Sequence, residues 1–280
     1  MDRKTRILSF LDKAGKGMEI GPSHNPIAPK KEGFDVHIVD HCDRAGLVEK
    51  YRPHGVKLDD IEDVDFVWRD TSYGELTGHS KFYDWIIASH VIEHTPDLIG
   101  FLKSSEDVLK DDGILALAVP DKRFCFDHFR PISGLASLID AHLSKNKIHT
   151  AGRVAEYFLN VVSLSGRIAW DRPFRSAQSI ENFAFVHGQE DALSGMRAVS
   201  EQGAYLDVHA WCFTPSSFRL LVEDLYGLGL SPLREASFYA DGGSEFFVAL
   251  SKFGTGPSLT RMKLLENIHS EIGLTPQAGR

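Results

Sequence analysis

Short apolar runs that end on polar residues recur along the first half of this chain. Four of them, at 18–20, 34–40, 64–70 and 84–88, are each followed by polar or helix-forming residues. A fifth run, Gly113 to Pro120, is almost continuously apolar, as expected of a strand buried on both faces of a sheet. Strands that alternate with helices in this way predict an α/β fold built on a parallel sheet.

The polar residues at the ends of the first two runs indicate a ligand site. The first run passes from Glu19 into Gly21 and Ser23, and a glycine lets backbone N–H groups approach a ligand closely. Asp40 follows about 20 residues later, where dinucleotide-binding folds place a carboxylate on ribose hydroxyls. Since parallel strands end at one edge of a sheet, these groups are expected to share a crevice.

The stretch DWIIASHVIEHTPD, residues 84–97, has two interpretations. His90, Glu93 and His94 have the H-x-x-E-H spacing of a zinc-peptidase helix. Thr95 followed by Pro96, however, predicts the start of a new helix, with the hydroxyl as its cap. The histidines then fall in the loop between a strand and that helix, which Gly113 is expected to end. This pattern favours a ligand-facing loop over the peptidase.

The remaining elements predict an interrupted core. Thr5 is expected to cap a short amino-terminal helix. After Cys125 the alternation stops, and 133–144, 151–160 and 189–199 have helical patterns. Thr214-Pro215 then predicts a helix to about Gly227, before a hairpin of 232–239 and 245–251 turning at 241–243. The predicted parts are the first part of the core (1–124), a helical insertion over the crevice (125–205), the completion of the core (206–254) and a loosely attached tail (255–280).

Two stretches resemble the class I S-adenosylmethionine-dependent methyltransferases: EIGPSHNPI and DWIIASHVIEHTPDLIGFLKSSEDVLKDDGILALAVPD. The resemblance covers residues 18–120 and 214–252. It implies a Rossmann-like, mostly parallel seven-stranded sheet with helices on both faces and an antiparallel carboxyl-terminal hairpin, together with S-adenosylmethionine as cofactor. The first stretch is similar to a variant in family members linked to polysaccharide and surface-glycan pathways. It departs from the usual glycine-rich form at Pro22, Ser23 and Asn25.

The resemblance also implies roles for nine residues. It implies that Glu19, Gly21, Pro22 and Ser23 in the first turn hold the methionine end of the cofactor, and that Asp40 after the second strand binds the ribose. Asp70 and Thr71 after the third strand would bind the adenine, and Ser89 and His90 after the fourth would line the pocket.

His94 is the candidate catalytic residue. Transfer to a hydroxyl needs a general base, and histidine titrates in the useful range. The dipole of the helix that follows is expected to favour its neutral form, while a purely structural role in the loop is the alternative. A second polar cluster, interleaved with aromatic residues, suits sugar recognition and the phosphate of a nucleotide sugar. Its predicted acceptor-binding residues are Asp121, Arg123, Asp127, His128, Arg130 and His209.

The predicted function is O-methylation of a sugar hydroxyl, nucleotide sugar or glycan precursor by a cytoplasmic enzyme. The formal net charge of −8 argues against nucleic acid as partner. There is no signal-peptide pattern and no apolar run of about 18 residues to span a membrane. No cysteines form a C-x-x-C pair, and no metal is expected. The acceptor atom and the oligomeric state are not indicated.

Besides the zinc peptidase there are three alternatives: a bound divalent ion, a non-enzymatic domain and an oxidoreductase. A divalent ion on Glu93, His94 and His209 would be similar to what some RNA-end methyltransferases hold. The fold would also suit a non-catalytic S-adenosylmethionine-binding domain or a scaffold. An NAD-dependent oxidoreductase would need G-x-G-x-x-G after Ile20, which is absent.

Overall fold

The computed structural model describes residues 2–240 and 243–273. Seven strands form one sheet, and two short strands, β6 and β7, form another. The strands are β1 (Gly17–Ile20), β2 (Val36–Asp40), β3 (Phe66–Val67), β4 (Tyr83–Ser89), β5 (Leu109–Pro120), β6 (Val162–Leu164), β7 (Phe183–Phe185), β8 (Arg234–Ala240) and β9 (Glu245–Ser251).

The order of strands in the large sheet is β3-β2-β1-β4-β5-β9-β8. Strands β1 to β5 are parallel, β9 runs antiparallel to β5, and β8 antiparallel to β9. This arrangement confirms the predicted fold class. The chain builds outward from β1 to β3 and then returns to place β4 on the other side of β1. A crevice therefore opens at the carboxyl ends of β1 and β4, where ligands bind in open α/β sheets.

Helices cover both faces of this sheet. Along β4, successive side chains enter different cores: Ile86 belongs to the larger cluster with Leu102 and Phe218, and Trp85 to the smaller one with Ile7. The helices are α1 (Arg3–Leu8), α2 (Arg44–Tyr51), α3 (Tyr73–Thr77), α4 (Leu98–Val108), α5 (Leu135–Leu143), α6 (Ala151–Asn160), α7 (Arg172–Ser176), α8 (Gln189–Gln202), α9 (Pro215–Gly227) and α10 (Arg261–Glu271).

Two predicted helix caps are wrong. Asp2, not Thr5, caps α1, and its carboxylate accepts the Thr5 N–H. Asp97, not Thr95, caps α4, where its carboxylate accepts the Gly100 N–H. The Thr95 hydroxyl instead donates to the Ile92 carbonyl, so it closes the preceding turn. Helix α4 therefore starts about one turn beyond His94.

Two predicted boundaries also differ from the structure. Helix α4 ends at Val108 and β5 begins at once, so Gly113 lies within the strand and does not end the helix. Strand β3 is only two residues long, whereas the pattern predicted a run over 64–70. Thr214-Pro215 does begin α9, with Pro215 at the first helical position.

Hydrogen bonds join the two ends of the segment between β5 and α9 to each other and to the core. Where the chain leaves, the Lys122 N–H donates to the Phe213 carbonyl at 2.9 Å; where it returns, the Ala210 N–H donates to the Glu93 carbonyl at 2.7 Å. The segment carries α5 to α8 and the small β6–β7 sheet, whose strands are antiparallel.

After β9, the chain continues into α10, which packs on α9. The Ser216 hydroxyl donates to a Glu271 carboxylate oxygen at 2.8 Å. Residues 241 and 242 of the expected hairpin turn, and 274–280 of the expected tail, lie outside the described residues. No helix in the described ranges is long and apolar enough to cross a lipid bilayer.

Candidate active site

Two adjoining cavities, of about 880 and 230 Å³, lie at the carboxyl edge of the large sheet. Gly21, Ser23 and His90 line both. The structure brings together all the residues predicted to bind cofactor or to catalyse. The larger cavity is also lined by Asp40, Asp70, Thr71 and His94, and the smaller one by Glu19, Pro22 and Ser89.

Glu19 shapes the turn that follows β1. Its carboxylate is 1% exposed and accepts the N–H groups of Ile27 and Ala28 at 2.7 and 2.9 Å. Burial raises the pKa of this carboxyl to about 7, against the effect of those hydrogen bonds. Gly21 has a φ of 63°, and a Cβ there would lie 3.1 Å from a Val91 methyl carbon. The turn therefore needs glycine at this position, although the other expected glycines are absent.

Asp40 connects the end of β2 to the same turn. Its carboxylate accepts the Ser23 N–H at 3.0 Å and the His41 N–H at 2.8 Å. The Ser23 hydroxyl also lies 2.9 Å from the Tyr51 hydroxyl. A buried, hydrogen-bonded carboxylate thus faces the larger cavity in a fixed position.

The end of β3 forms the far wall of the larger cavity. The Trp68 indole N–H donates to the Thr71 carbonyl at 2.8 Å, which holds the loop against the ring. Asp70 pairs with Lys147 of the insertion at 2.7 Å. This pair brings the insertion to the mouth of the cavity.

Strained backbone concentrates in these cavities. Six non-glycine residues in the described ranges have φ values between 49° and 59°, and four of them line a cavity: Ser23, Asp70, His90 and Lys145. Such conformations cost free energy and persist only where the surroundings impose them, and they cluster at functional sites.

His90 is held between two carboxylates at the end of β4. Its Nε2 lies 2.8 Å from Glu245 and its Nδ1 3.4 Å from Glu93. Burial alone would lower the pKa of His90, but its hydrogen bond to Glu245 and the negative charge of nearby Glu93 outweigh it and raise the pKa to about 9. His90 is therefore protonated at neutral pH. Arg3 of α1 also pairs with Glu245, at 2.9 Å, and donates to the Ser89 hydroxyl.

His94 faces Asp207, which lies just after the insertion. The His94 Nδ1 lies 2.8 Å from a carboxylate oxygen of Asp207, and both residues line the larger cavity. Burial would lower the pKa of His94, but Asp207 and Glu93 outweigh it and raise the pKa above 6.5. The sequence argument expected the helix dipole to favour the neutral form, and this expectation is wrong because the carboxylates are closer than the start of α4.

Glu93, His94 and His209 form a compact cluster. Each offers one potential metal-ligand atom, and these three atoms lie within 4.8 Å of one another. The rings of His94 and His209 meet edge to face, with centroids 4.6 Å apart. The H-x-x-E-H residues do not share one continuous helix, because a single 3-10 turn, Ile92–His94, separates β4 from the loop before α4. The peptidase arrangement is thereby excluded.

The methyltransferase domain family matches this chain over residues 1–186, which include the turn after β1, Asp40 and the loop after β4. The chain belongs to the methyltransferase domain family. It is an S-adenosylmethionine-dependent methyltransferase, as the sequence resemblance implied, and S-adenosylmethionine is its cofactor.

Several solved structures are similar to this methyltransferase. PH0226 from Pyrococcus horikoshii OT3 has 14% identity and a TM-score of 0.45, with 89% of this chain and 86% of that chain covered. A SAM-dependent methyltransferase from Methanosarcina mazei has 15% identity and a TM-score of 0.45, with 90% and 99% covered. The methyltransferase CalH, solved with S-adenosylhomocysteine, has 12% identity and a TM-score of 0.40, with 85% and 51% covered. No curated protein matches the sequence.

The six residues predicted to bind the acceptor lie behind the methyltransferase cavities, and none of them lines either one. Asp121 pairs with Arg123, and His128 lies 2.7 Å from the Arg123 carbonyl. The others form a buried chain in which Asp127 bonds Arg130 at 2.7 Å and His209 at 2.5 Å. Burial raises the pKa of Asp127, but His209 and Arg130 outweigh it and lower the pKa to about 2.

Several cavity residues were not predicted from sequence. Trp68 stood in an expected strand, and Tyr51 and Tyr205 in expected helical or connecting segments. A half-exposed tryptophan at the end of a sheet strand is the one signal that sequence could have offered, because such rings often serve ligands. Arg3 and Lys147 come to the site from distant parts of the chain and carry no local pattern.

Proposed function

We propose that this methyltransferase transfers a methyl group to a hydroxyl of a sugar, nucleotide sugar or glycan precursor. The observation that carries the proposal is the polar end of the larger cavity. There His94 lies 2.8 Å from Asp207, and the Tyr205 hydroxyl donates to the His94 carbonyl at 3.4 Å. Hydroxyl-rich acceptors suit such a mixture of donors, acceptors and an aromatic ring.

The nine predicted residues are proposed to hold the cofactor along the carboxyl edge. The smaller cavity, with Glu19 and the Gly21 turn, would take the methionine end. Asp40 would accept hydrogen bonds from the ribose hydroxyls, and the wall formed by Trp68, Asp70 and Thr71 would take the adenine. S-adenosylmethionine, when bound, supplies a methyl group already activated by its sulfonium.

His94 is proposed to activate the acceptor hydroxyl. Its Nδ1 lies 2.8 Å from a carboxylate oxygen of Asp207, in an ion-pair contact without hydrogen-bond geometry, which leaves Nε2 as the nitrogen available to the acceptor. The acceptor oxygen bonds to the methyl carbon as the carbon–sulfur bond breaks, S-adenosylhomocysteine leaves, and the hydroxyl proton goes to Nε2. Because the protein has only to align the two reactants, a loosely held His94 would be ineffective.

Acceptor binding by Asp121, Arg123, Asp127, His128, Arg130 and His209 stays a proposal. Their contacts with one another support an indirect role, in which they fix the wall behind the acceptor. We also place the enzyme in the cytoplasm. Its acidic net charge supports the further proposal that nucleic acid is not its acceptor.

The test is methyl transfer from labelled S-adenosylmethionine to a panel of nucleotide sugars, free sugars and a short RNA, analysed by mass spectrometry. Incorporation into a sugar hydroxyl supports the proposal, whereas incorporation into RNA alone contradicts it. S-adenosylhomocysteine should raise the melting temperature and NAD should not. Stabilisation without transfer to any acceptor would favour a non-catalytic binding domain.

A further inference from the structure

The side chain of Glu93 lacks the partners that a buried carboxylate needs. It is 1% exposed, and neither oxygen has a hydrogen-bond partner among the residues that the structure describes. The nearest cationic or imidazole nitrogens are His90 Nδ1 at 3.4 Å and His209 Nε2 at 3.9 Å. Removing an ionised carboxylate from water costs several kcal/mol unless an opposite charge and close ligands compensate. The oxygens of Glu93 are thus oriented toward something that binds them more closely.

The two histidines that face Glu93 are oriented as metal ligands usually are. The Nδ1 of His209 lies 2.5 Å from Asp127, and the Nδ1 of His94 lies 2.8 Å from Asp207. The first contact is a hydrogen bond, whereas the second is a close ion-pair contact without hydrogen-bond geometry. Both leave the Nε2 of the ring available. Metal-bound histidines nearly always give their other nitrogen to a carboxylate, carbonyl or water, which fixes the ring and makes the free nitrogen a better donor.

We propose that Glu93, His94 and His209 bind one divalent transition-metal cation, such as zinc, manganese or cobalt. Two imidazoles and one carboxylate suit these ions better than calcium or magnesium, which prefer oxygen ligands. Glu93 and His209 are buried, whereas His94 lines the larger cavity, so the open coordination positions face that cavity. Three protein ligands with an open position are typical of catalytic sites, while structural zinc sites are closed by four.

The role of the ion rests on the proposed function, although its binding does not. An ion at Nε2 of His94 would bind the acceptor hydroxyl and lower its pKa, so that the hydroxyl proton is lost to water. In the metal-bound enzyme His94 would thus be a ligand, and the proton transfer to its Nε2 proposed above would apply only to the metal-free enzyme. His90 offers the rival account, in which its positive charge alone neutralises Glu93 and no ion binds.

The experiment measures metal binding by the full chain without any acceptor. The chelator-treated protein is titrated with Zn²⁺, Mn²⁺ and Co²⁺, with binding followed by calorimetry, by elemental analysis after dialysis and by the visible absorption of Co²⁺. We expect one ion per chain for at least one of these metals. Failure of all three to bind would overturn the proposal and favour neutralisation by His90, leaving the methyltransferase assignment intact.

Variants locate the ion. Asp207→Asn should weaken binding by about 10- to 100-fold, because Asp207 contacts the ligand His94 and not the ion. Glu93→Gln and His94→Asn each remove a ligand and should weaken binding by more than that. Asp207 is 61% exposed, so its replacement should leave the fold intact even where the buried variants do not fold. Retained stabilisation by S-adenosylhomocysteine confirms the fold of each variant.

His142→Asn is the matched control. His142 Nδ1 also lies against a carboxylate, Asp97, at 2.9 Å, but its Nε2 faces the Lys103 ammonium instead of a second carboxylate. Its replacement should not change metal affinity. Equal affinity of wild type and Asp207→Asn would place any bound ion elsewhere and overturn the proposal. Methyl transfer at full rate by metal-free enzyme would overturn the catalytic role of the ion.

Discussion

Replacing Asp40 by asparagine should weaken cofactor binding without unfolding the enzyme. The carboxylate lies at the end of β2, where it accepts the N–H groups of Ser23 and His41. We place the ribose hydroxyls against the same carboxylate. Asparagine keeps the shape but offers only one accepting oxygen. The N–H₂ of the new amide would then lie against either the Ser23 N–H or a ribose hydroxyl, and the group that it faces would lose its acceptor.

The size of the effect follows from the loss of charge. Hydrogen bonds to an ionised group contribute about 1.5–3 kcal/mol, which corresponds to a roughly 10- to 150-fold change in Kd. S-adenosylhomocysteine and 5′-methylthioadenosine both carry the ribose. The loss should therefore be similar for the two ligands, although the second lacks the amino-acid end.

Titration calorimetry with both ligands measures this effect, and Asp35→Asn is the control. Asp35 directly precedes the same strand, is 69% exposed and pairs with Lys16 at the opposite end of the sheet. Its replacement should leave both affinities unchanged. Equal affinities of wild type and Asp40→Asn for both ligands would refute the placement of the ribose. A loss confined to S-adenosylhomocysteine would move Asp40 to the amino-acid end.

Three further predictions concern catalysis and stability. His94→Ala should lower turnover by about 10²- to 10⁴-fold with nearly unchanged affinity for S-adenosylhomocysteine; unaffected turnover at saturating substrate would remove His94 from the mechanism. The folded pKa of Glu19 is about 7 against 4.5 ordinarily, so the folded state keeps a proton that the unfolded state has lost. Measured by urea unfolding, the contribution of Glu19 to the free energy of unfolding should fall by about 3 kcal/mol as the pH rises from about 4.5 to 7, and then level off. The Glu19→Gln variant should lack this pH dependence. A contribution that rises with pH over the same range would contradict the prediction. Arg219→Ala should lower the free energy of unfolding by about 3–5 kcal/mol, because it leaves Glu235, which Arg219 contacts at 2.6 and 2.8 Å, buried and unpaired; a loss under about 1 kcal/mol would mean that water reaches Glu235.

The sheet could be predicted from sequence because its central strands are buried on both faces. Such strands are apolar where both faces are covered, and the runs 85–88 in β4 and 113–120 in β5 are recognisable for that reason. Strand β3 lies at the edge and pairs only with β2, so fewer backbone groups hold it in place. Its pattern therefore overstated its length, and Asp70 leaves the strand in a left-handed conformation.

The location of the cofactor site was also predictable, but its electrostatics were not. Each of the predicted cofactor residues lies at the carboxyl end of a strand or shortly after it, and the carboxyl ends of parallel strands meet at one edge. The state of His94 depends on Asp207, which is more than a hundred residues away in sequence and reaches it only through the fold. The choice between Thr95 and Asp97 as cap likewise depended on a competing bond, from the Thr95 hydroxyl to Ile92.

The two hydrogen bonds at the ends of the insertion have a consequence for how this enzyme could diversify. The bond between Lys122 and Phe213 joins the two ends of the segment, and the bond between Ala210 and Glu93 ties its second end to the loop after β4. The chain between these bonds therefore forms a closed loop on a core that is complete without it. Lengthening a closed loop costs little, about 0.6 kcal/mol for each doubling. Helices α5 to α8 can thus be exchanged for other segments while the donor half of the reaction stays unchanged. A chimaera carrying a foreign insertion should keep its affinity for S-adenosylhomocysteine and acquire a new acceptor.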